Sequence, residues 1–299
     1  MDKKLDLGVW VNAAVQYLLE HFSGVFDQAG HLIELFSTGI EKALQLVPLP
    51  VLIGVFVVLS LWRLGLGFAL FTLASLVLIV LTGFWDQTIV TLGLTLSSTL
   101  ISLLLGIPLG IWAAKNTKVA TLIRPVLDFM QTMPAFVYLI PAAMLFGLGR
   151  VPGILSTVIF AMPPAVRLTR LGIEQVNKEL IEAGQSFGCN ARQLLLKVQL
   201  PNALPSIMTG VNQTIMMALS MVIIASMVGA GGLGNEVLAS IQRLDIGLGF
   251  ESGLAVVLLA IILDRITETF GTQTTTRRQA GKRRWRELLV PRPRQNTAS

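Results

Sequence analysis

The sequence predicts an all-α membrane protein, a polytopic bundle of about seven spanning helices. Hydrophobic residues make up 53% of the 299 residues and charged residues only 13%, about half the charged fraction of a typical soluble domain. A soluble protein of this composition would have too few polar residues to cover its surface, whereas lipid covers the apolar exterior of a membrane protein. The charges that remain are concentrated between and beyond the apolar segments, as membrane topology requires.

The first region, residues 1–47, is amphipathic rather than long enough and apolar enough to span. Apolar residues recur at helical spacing before and after Gly30 and His31, which predicts two helices separated by a break at that pair. Two interpretations remain open. The helices lie along the membrane surface on the extracytoplasmic side, or they pack on the protein's own outer face.

Seven apolar segments follow this region. A helix needs about 20 apolar residues to cross the hydrocarbon core, and the segments approach or reach that length. The first two form an N-terminal pair within residues 48–84. The predicted spans are residues 48–62, 65–84, 89–114, 133–148, 151–166, 207–230 and 252–266.

The basic residues fix the predicted orientation. They form three clusters: a loop near residues 115–124, a longer loop near residues 167–197 and the tail at residues 271–299. With seven spans all three clusters lie on one side, the cytoplasm, and the acidic N-terminus lies outside. We therefore interpret the basic tail as a segment beside anionic lipid, and not as a nucleic-acid-binding segment.

The residue types present exclude several kinds of function. The predicted spans contain almost no charge, which argues against a carrier that runs on a proton relay. Gly281 and Lys282 lack the upstream glycine of a phosphate-binding loop, so any ATP hydrolysis belongs to another chain. His21 and His31 have no third ligand near them in the sequence, and no catalytic set can be assembled. We expect no metal, no cofactor and no catalytic residue in this chain.

One polar stretch, residues 181–201, interrupts the apolar pattern: "IEAGQSFGCNARQLLLKVQLP". It predicts a short helix over 174–187, closed by Gly188 in the left-handed conformation. Asn190 and Gln193 have the spacing of a capping box that starts a second helix, and Pro201 is expected to end that helix.

This helix–turn–helix is predicted to present an exposed apolar ridge formed by Leu194, Leu195 and Val198. An exposed apolar ridge on a charged cytoplasmic loop is typical of a docking surface for a soluble partner. The alternative is a loop that packs only on its own bundle.

The spacing of this stretch resembles the cytoplasmic signature of ABC importer permeases, which reads Glu-Ala-Ala, then Gly, then Ile-x-Leu-Pro. Two positions depart from that pattern, because Gly184 replaces the second Ala and Val198 replaces Ile. The positions that carry the resemblance are Glu182, Ala183, Gly184, Gly188, Val198, Leu200 and Pro201. Two further segments, "MQTMPAFVYLIPAAMLFGLGRVPG" and "ALSMVIIASMVGAGGLG", resemble the glycine betaine/proline betaine permeases of the osmoprotectant group, and the likeness covers residues 88–267.

The resemblance implies a type I ABC importer permease domain over residues 88–267, with an ATPase-coupling loop over 168–205. It implies a bacterial inner-membrane protein that is not itself an enzyme. Two copies of the permease would pair with two cytoplasmic ATPase subunits, and a separate solute-binding protein would deliver a betaine or related quaternary amine. The alternative function is that of an ATP-independent carrier or channel for a small solute.

The span at residues 207–230 is the best candidate for lining a translocation pathway. Asn212, Met216 and Ser220 fall on one predicted stripe, with Gln213 nearby. Polar groups in hydrocarbon need partners or water, and flexible thioethers suit a surface that repacks. The alternative role for these residues is hydrogen bonding and packing between helices.

Overall fold

The computed structural model describes residues 7–289, and side chains from residue 10 to residue 270 except at positions 11, 12, 14 and 18. The side chains of the predicted basic tail, residues 271–299, lie outside that description. Every regular element within residues 7–289 is a helix. In chain order the α-helices are α1 (Leu7–Leu46), α2 (Leu49–Leu64), α3 (Leu66–Leu81), α4 (Trp85–Lys115), α5 (Thr117–Thr132), α6 (Ala135–Phe146), α7 (Arg150–Glu174), α8 (Lys178–Ser186), α9 (Ala191–Gln193), α10 (Leu200–Ala225), α11 (Leu233–Arg243) and α12 (Ile246–Leu289).

Among the described residues, four helical segments are long and apolar enough to cross a membrane: α4, α7, the continuous stretch Ala191–Val228 and Ile246–Phe270. Two pairs pass the same test only as bent units. Leu19–Leu46 meets α2 at 96°, and α5 meets α6 at 100°, which gives up to six spans. Helix α3 is apolar but shorter. Each of the seven predicted spans overlaps one of these helices, and the count of seven stays a prediction.

Helix α7 lies at the centre of the bundle, between α4 and α10. Small residues allow the close approach of these helices. An ideal Cβ on Gly110 of α4 would lie 2.7 Å from the Thr169 Cβ, and one on Gly172 of α7 would lie 2.8 Å from the Ser206 Cβ. Such spacing leaves no room for a larger side chain at either glycine, so α4, α7 and α10 form the tightly packed part of the molecule.

The predicted break at Gly30 and His31 is wrong. The backbone is helical through both residues, and the one non-helical residue inside α1 is Phe22, with φ −125° and ψ 16°. Gly30 serves packing instead: it is buried, and an ideal Cβ there would lie 3.4 Å from Cδ1 of Phe146. Helix α1 thus packs on the bundle's own outer face along one side, as one of the two interpretations held. A second apolar side, which includes Val25 and Leu32, is exposed.

The predicted loop around residues 115–124 is also wrong, because Asn116 alone separates α4 from α5. Its side-chain Oδ1 accepts a hydrogen bond from the backbone N–H of Lys118 at 3.0 Å, and so caps α5 at once. The second basic cluster begins on a helix as well. The predicted span at 151–166 continues as α7 to Glu174, so Arg167 and Arg170 are helical residues.

Candidate functional site

The segment between α7 and α10 forms a compact unit at one end of the bundle. Helix α7 ends at Glu174, and Asn177 starts α8 by accepting a hydrogen bond from the backbone N–H of Glu179 at 3.0 Å. The predicted helix over 174–187 is therefore too long at its start. The cap at Asn177 begins a new helix, and residues 175–177 form the turn that separates it from α7.

The turn after α8 agrees with the prediction. Gly188 has φ 76°, in the left-handed region, and the Cys189 N–H donates to the Gly184 carbonyl at 3.0 Å. The Gly188 N–H donates to the Gln185 carbonyl at 2.9 Å. This pair of bonds is the Schellman motif, which satisfies carbonyls at a helix end.

The predicted capping box is confirmed. The Asn190 side chain accepts from the Gln193 N–H at 2.8 Å, and the Gln193 side chain accepts from the Asn190 N–H at 3.0 Å. The Schellman motif and the capping box are adjacent in the chain, and each joins residues a few positions apart. Together they fix the angle between α8 and the helix that follows it.

Pro201 does not end that helix, contrary to the prediction. The chain passes from α9 through a π-helical segment, Leu194–Gln199, directly into α10. Pro201 therefore lies in the first turn of α10, immediately after the π-helical segment. The stretch Ala191–Val228 is continuous over 38 residues, so it connects the polar loop to the far end of the bundle.

The predicted ridge of Leu194, Leu195 and Val198 does not face outward, because α8 folds back over it. An ideal Cβ on Gly184 would lie 2.8 Å from Cδ1 of Leu194 and 3.5 Å from Cγ2 of Val198. Leu195 is buried in the same cluster as Ile173 of α7. The side chains of the ridge thus join α8 to the bundle.

The exposed apolar ridge lies on α8 instead. Leu180 is 44% exposed and Phe187 is 88% exposed, and Ala183 lies exposed between them. We call these three residues the α8 ridge. Their i, i+3, i+7 spacing places them on one side of the helix, and this spacing was the signal in the sequence that would have identified the ridge.

The structure places the seven predicted loop residues within this one unit, in different settings. Glu182 and Ala183 are exposed on α8, and Gly184 is buried beneath Leu194. Val198 and Leu200 are half-buried, and Pro201 is exposed. Gly184 and Val198 are brought together, and Gly188 forms the turn between them.

The four predicted pathway residues separate into two groups. Gln213, Met216 and Ser220 are exposed on one side of α10. Asn212 faces α12, where its side-chain Nδ2 donates to Oδ1 of Asp264 at 3.1 Å and its Oδ1 accepts from the Thr267 hydroxyl. Asp264 was missed, although an acidic residue inside an apolar segment is itself a signal of a polar partner.

Two of the cavities on the described part of the chain lie beside α6 or α7. A cavity of about 510 Å³ lies between α6 and the end of α10; it is lined by Phe136, Leu139, Ile140, Ala143, Met144, Met227 and Val228. Met227 and Val228 lie in the short 3-10 helix, Ser226–Val228, that follows α10, so this apolar cavity lies at the far end of the helix that carries Ser220. A cavity of about 390 Å³ lies between α5 and α7 and has a charged rim. There Arg167 pairs with Asp128 at 2.6 Å, an exposed pair worth about 0–1 kcal/mol.

Residues 106–273 match the family model described as binding-protein-dependent transport system inner membrane component. The glycine betaine/proline betaine transport system permease protein ProW of Escherichia coli (strain K12) is 49% identical over 282 residues, which cover 94% of this chain and 78% of that protein. The glycine betaine transport system permease protein OpuAB of Bacillus subtilis (strain 168) is 46% identical over 277 residues, 93% of this chain and 98% of that protein.

Solved structures agree on the fold. An inward-facing conformation of the MetNI methionine ABC transporter superposes with a TM-score of 0.57 at 20% identity, over 62% of this chain and 93% of that chain. An amino acid ABC transporter with histidines gives a TM-score of 0.55 at 18% identity, over 64% and 93%. The predicted class, a membrane helical bundle with the fold of ABC importer permeases, is confirmed.

Proposed function

The chain belongs to the family of binding-protein-dependent transport system inner membrane components, and from that membership we propose that it forms the membrane pathway of an ATP-driven importer for glycine betaine, proline betaine or a related quaternary amine. It is a multi-pass protein of the bacterial inner membrane. The observation that carries the proposal is an identity of 46–49% over about nine tenths of the chain to permeases that are named for these solutes.

The proposed complex contains two copies of this chain, two cytoplasmic ATPase subunits and a separate solute-binding protein. ATP hydrolysis takes place on the ATPase chains, and this chain is not an enzyme. The coupling loop, residues 168–205, faces the cytoplasm together with the basic tail at 271–299, and the region 1–47 lies outside. Residues 48–84 contribute the N-terminal spanning helices, and residues 88–267 form the permease domain.

The α8 ridge is the proposed contact with the ATPase. Leu180, Ala183 and Phe187 are exposed on a short helix whose angle is fixed by the Gly188 turn. Exposed apolar side chains surrounded by polar ones are typical of a protein interface. When ATP binding brings the two ATPase subunits together, α8 of each permease would move with the groove that holds it.

The motion of α8 reaches the pathway through packed and continuous elements. Gly184 of α8 lies against Leu194, and Leu194 belongs to the continuous helix Ala191–Val228. The same helix carries Gln213, Met216 and Ser220 on its exposed side. We propose these three residues as pathway-lining, whereas the bonds of Asn212 to α12 favour a role in holding two helices together.

The test is uptake of radiolabelled glycine betaine into vesicles that contain this chain, its ATPase and its binding protein. Import that requires ATP and both partners is the expected result. The double variant Leu180→Asp/Phe187→Asp should lose ATPase co-purification and uptake, because it places charges on the α8 ridge. Gln185→Asp is the control: it adds one negative charge to the exposed far side of α8, about 140° or more around the helix from each ridge residue, and should keep both.

Two outcomes would contradict the proposal. Uptake by this chain alone, without ATP, would favour the carrier or channel alternative. Normal co-purification and uptake by the ridge variant would show that the ATPase binds elsewhere. Competition by choline, carnitine and proline betaine in the same vesicles would rank the solutes.

A further inference from the structure

A part-buried ion pair joins α1 to the first residue of α7. Glu41 is 8% exposed and Arg150 is 32% exposed, and both guanidinium Nη atoms donate to the carboxylate. The bond from Nη2 to Oε1 is 3.1 Å long, and the side chain of Gln45 donates to the same oxygen at 3.1 Å. Two-point pairing of this kind fixes direction as well as distance.

Helix α4 provides the space for this pair. An ideal Cβ on Gly93 would lie 3.4 Å from the Glu41 Cβ and 3.5 Å from its Cα, so the glycine lets α1 approach closely. About four turns earlier in α1, Phe26 meets Phe146 edge to face, with ring centroids 5.6 Å apart. Gly30 lies against Phe146 and Val151. Helix α1 therefore packs on α4, α6 and α7 at once, and the ion pair lies near one end of this contact surface.

The pair lies at the end of the bundle opposite the coupling loop. Arg150 begins α7, a helix of 25 residues and so about 37 Å long, whose other end leads to α8. The residue before it, Gly149, has φ 137°, and its N–H donates to the Val228 carbonyl at 2.9 Å. Val228 ends the continuous helix that starts at the coupling loop. The ends of α6, α7 and α10 meet here.

The pair also joins a part of the chain that the family model matches to a part that it does not match. Arg150 lies within the residues matched by the family model, and Glu41 lies outside them. Breaking up a buried pair of charges leaves one charge unpaired, yet such pairs add little net stability compared with apolar residues. A pair at the meeting point of three helices is better suited to fixing geometry than to adding stability.

We infer that Glu41 and Arg150 are positioning residues that hold α1 against the junction of α6, α7 and α10, and so control how readily this end of the pathway opens during import. The inference rests on the proposed function. Loss of the pair removes the polar link between α1 and the start of α7 and leaves only the apolar contacts of α1 with Phe146 and Val151, which lets the junction open more readily without the loaded binding protein. ATP hydrolysis then continues without delivery of solute.

The experiment uses the reconstituted complex and measures solute imported per ATP hydrolysed, and ATP hydrolysis without binding protein. Glu41→Gln keeps the shape of the side chain but removes its charge. We expect it to raise ATP hydrolysis without binding protein and to lower the solute imported per ATP by about fivefold. That factor is the lower limit of the usual coupling between two linked sites. The reversed pair Glu41→Arg/Arg150→Glu should restore much of the ratio. Asp128→Asn, which breaks an exposed ion pair away from α1, is the control and should keep the wild-type ratio.

A Glu41→Gln complex that is less heat-stable but imports the wild-type amount of solute per ATP would overturn the inference. The pair would then stabilise the fold without affecting transport. Should Glu41→Gln fail to assemble, Arg150→Lys decides in its place: it keeps the charge but loses two-point pairing, and an unchanged ratio would again overturn the inference. Absence of ATP-dependent uptake in the wild type would instead contradict the proposed function.

Discussion

The two ends of the bundle are built in different ways. At the coupling-loop end, the hydrogen bonds that set the helix ends and turns join residues two to five positions apart, as between Asn190 and Gln193 or Gly184 and Cys189. At the opposite end they join distant parts of the chain. Glu41 pairs with Arg150, 109 residues away, and the Thr91 hydroxyl accepts from the Leu233 N–H, 142 residues away, at 2.8 Å.

This difference indicates how each end can move. A unit held by its own short-range bonds keeps its shape when it is displaced, so the coupling loop can act as a rigid lever. An end held by long-range contacts moves only when several helices change partners together. We expect the coupling loop to transmit motion. We expect the opposite end to keep its arrangement until ATP and loaded binding protein, which bind one conformation more tightly than the other, shift the equilibrium between the two conformations.

The largest expected effect belongs to the long-range end. An ideal Cβ on Gly234 would overlap the Ile223 carbonyl oxygen and lie 2.9 Å from the Ile223 Cα, and backbone atoms cannot move aside as the end of a side chain can. Gly234→Ala should lower the free energy of unfolding by about 3 kcal/mol, the upper range for overpacking. The thermal unfolding midpoint of the purified permease in detergent measures this loss of stability.

Gly253→Ala is the matched control for that substitution. Gly253 lies inside α12, and no atom of the described residues is within 4 Å of an ideal Cβ there. Alanine favours a helix interior by up to about 1 kcal/mol over glycine, so this variant should unfold at the wild-type temperature or above. An equal loss of stability in both variants would show that the long-range end is not tightly packed.

The same contrast explains what the sequence could and could not predict. Helix content, the Gly188 turn and the capping box depend on side chains a few residues apart, and these predictions are confirmed. The predictions for Gly30 and Pro201 failed because both residues have strong local preferences that their surroundings override. Gly30 lies against Phe146, and the π-helical segment places Pro201 in a first turn. The partner of Asn212 on α12 is set by which helix lies opposite, and sequence spacing carries no information about that.

An effect of intermediate size is expected at the Gly188 turn, chiefly on the coupling of ATP hydrolysis to import. Gly188 has φ 76°, with no described atom within 4 Å of an ideal Cβ, so a substitution strains the backbone without a clash. Gly188→Val should cost about 1–2 kcal/mol in the turn and change the angle of α8. We expect solute import per ATP to fall several-fold, while the unfolding midpoint falls less than in Gly234→Ala.

Gly188→Asn separates backbone strain from side-chain size at this turn. Asparagine adopts the left-handed conformation more readily than other residues with a Cβ, and it is similar in volume to valine. Import per ATP should therefore stay close to the wild-type value. Equal uncoupling by valine and asparagine would mean that the partner ATPase contacts this position directly.

The smallest effect is expected at Gly184, where the family pattern has alanine. An ideal Cβ there would lie 2.8 Å from Cδ1 of Leu194, but that atom is the far end of a flexible side chain. Gly184→Ala should force a rotamer change that costs about 1 kcal/mol, and Leu194→Val alone should leave a small gap of similar cost.

Because each change compensates the other, the double variant should be more stable than the sum of the two losses predicts, by about 0.5 kcal/mol or more. Thermal unfolding of the three variants measures this coupling, and strictly additive losses would mean that α8 does not pack on the π-helical segment through these two residues.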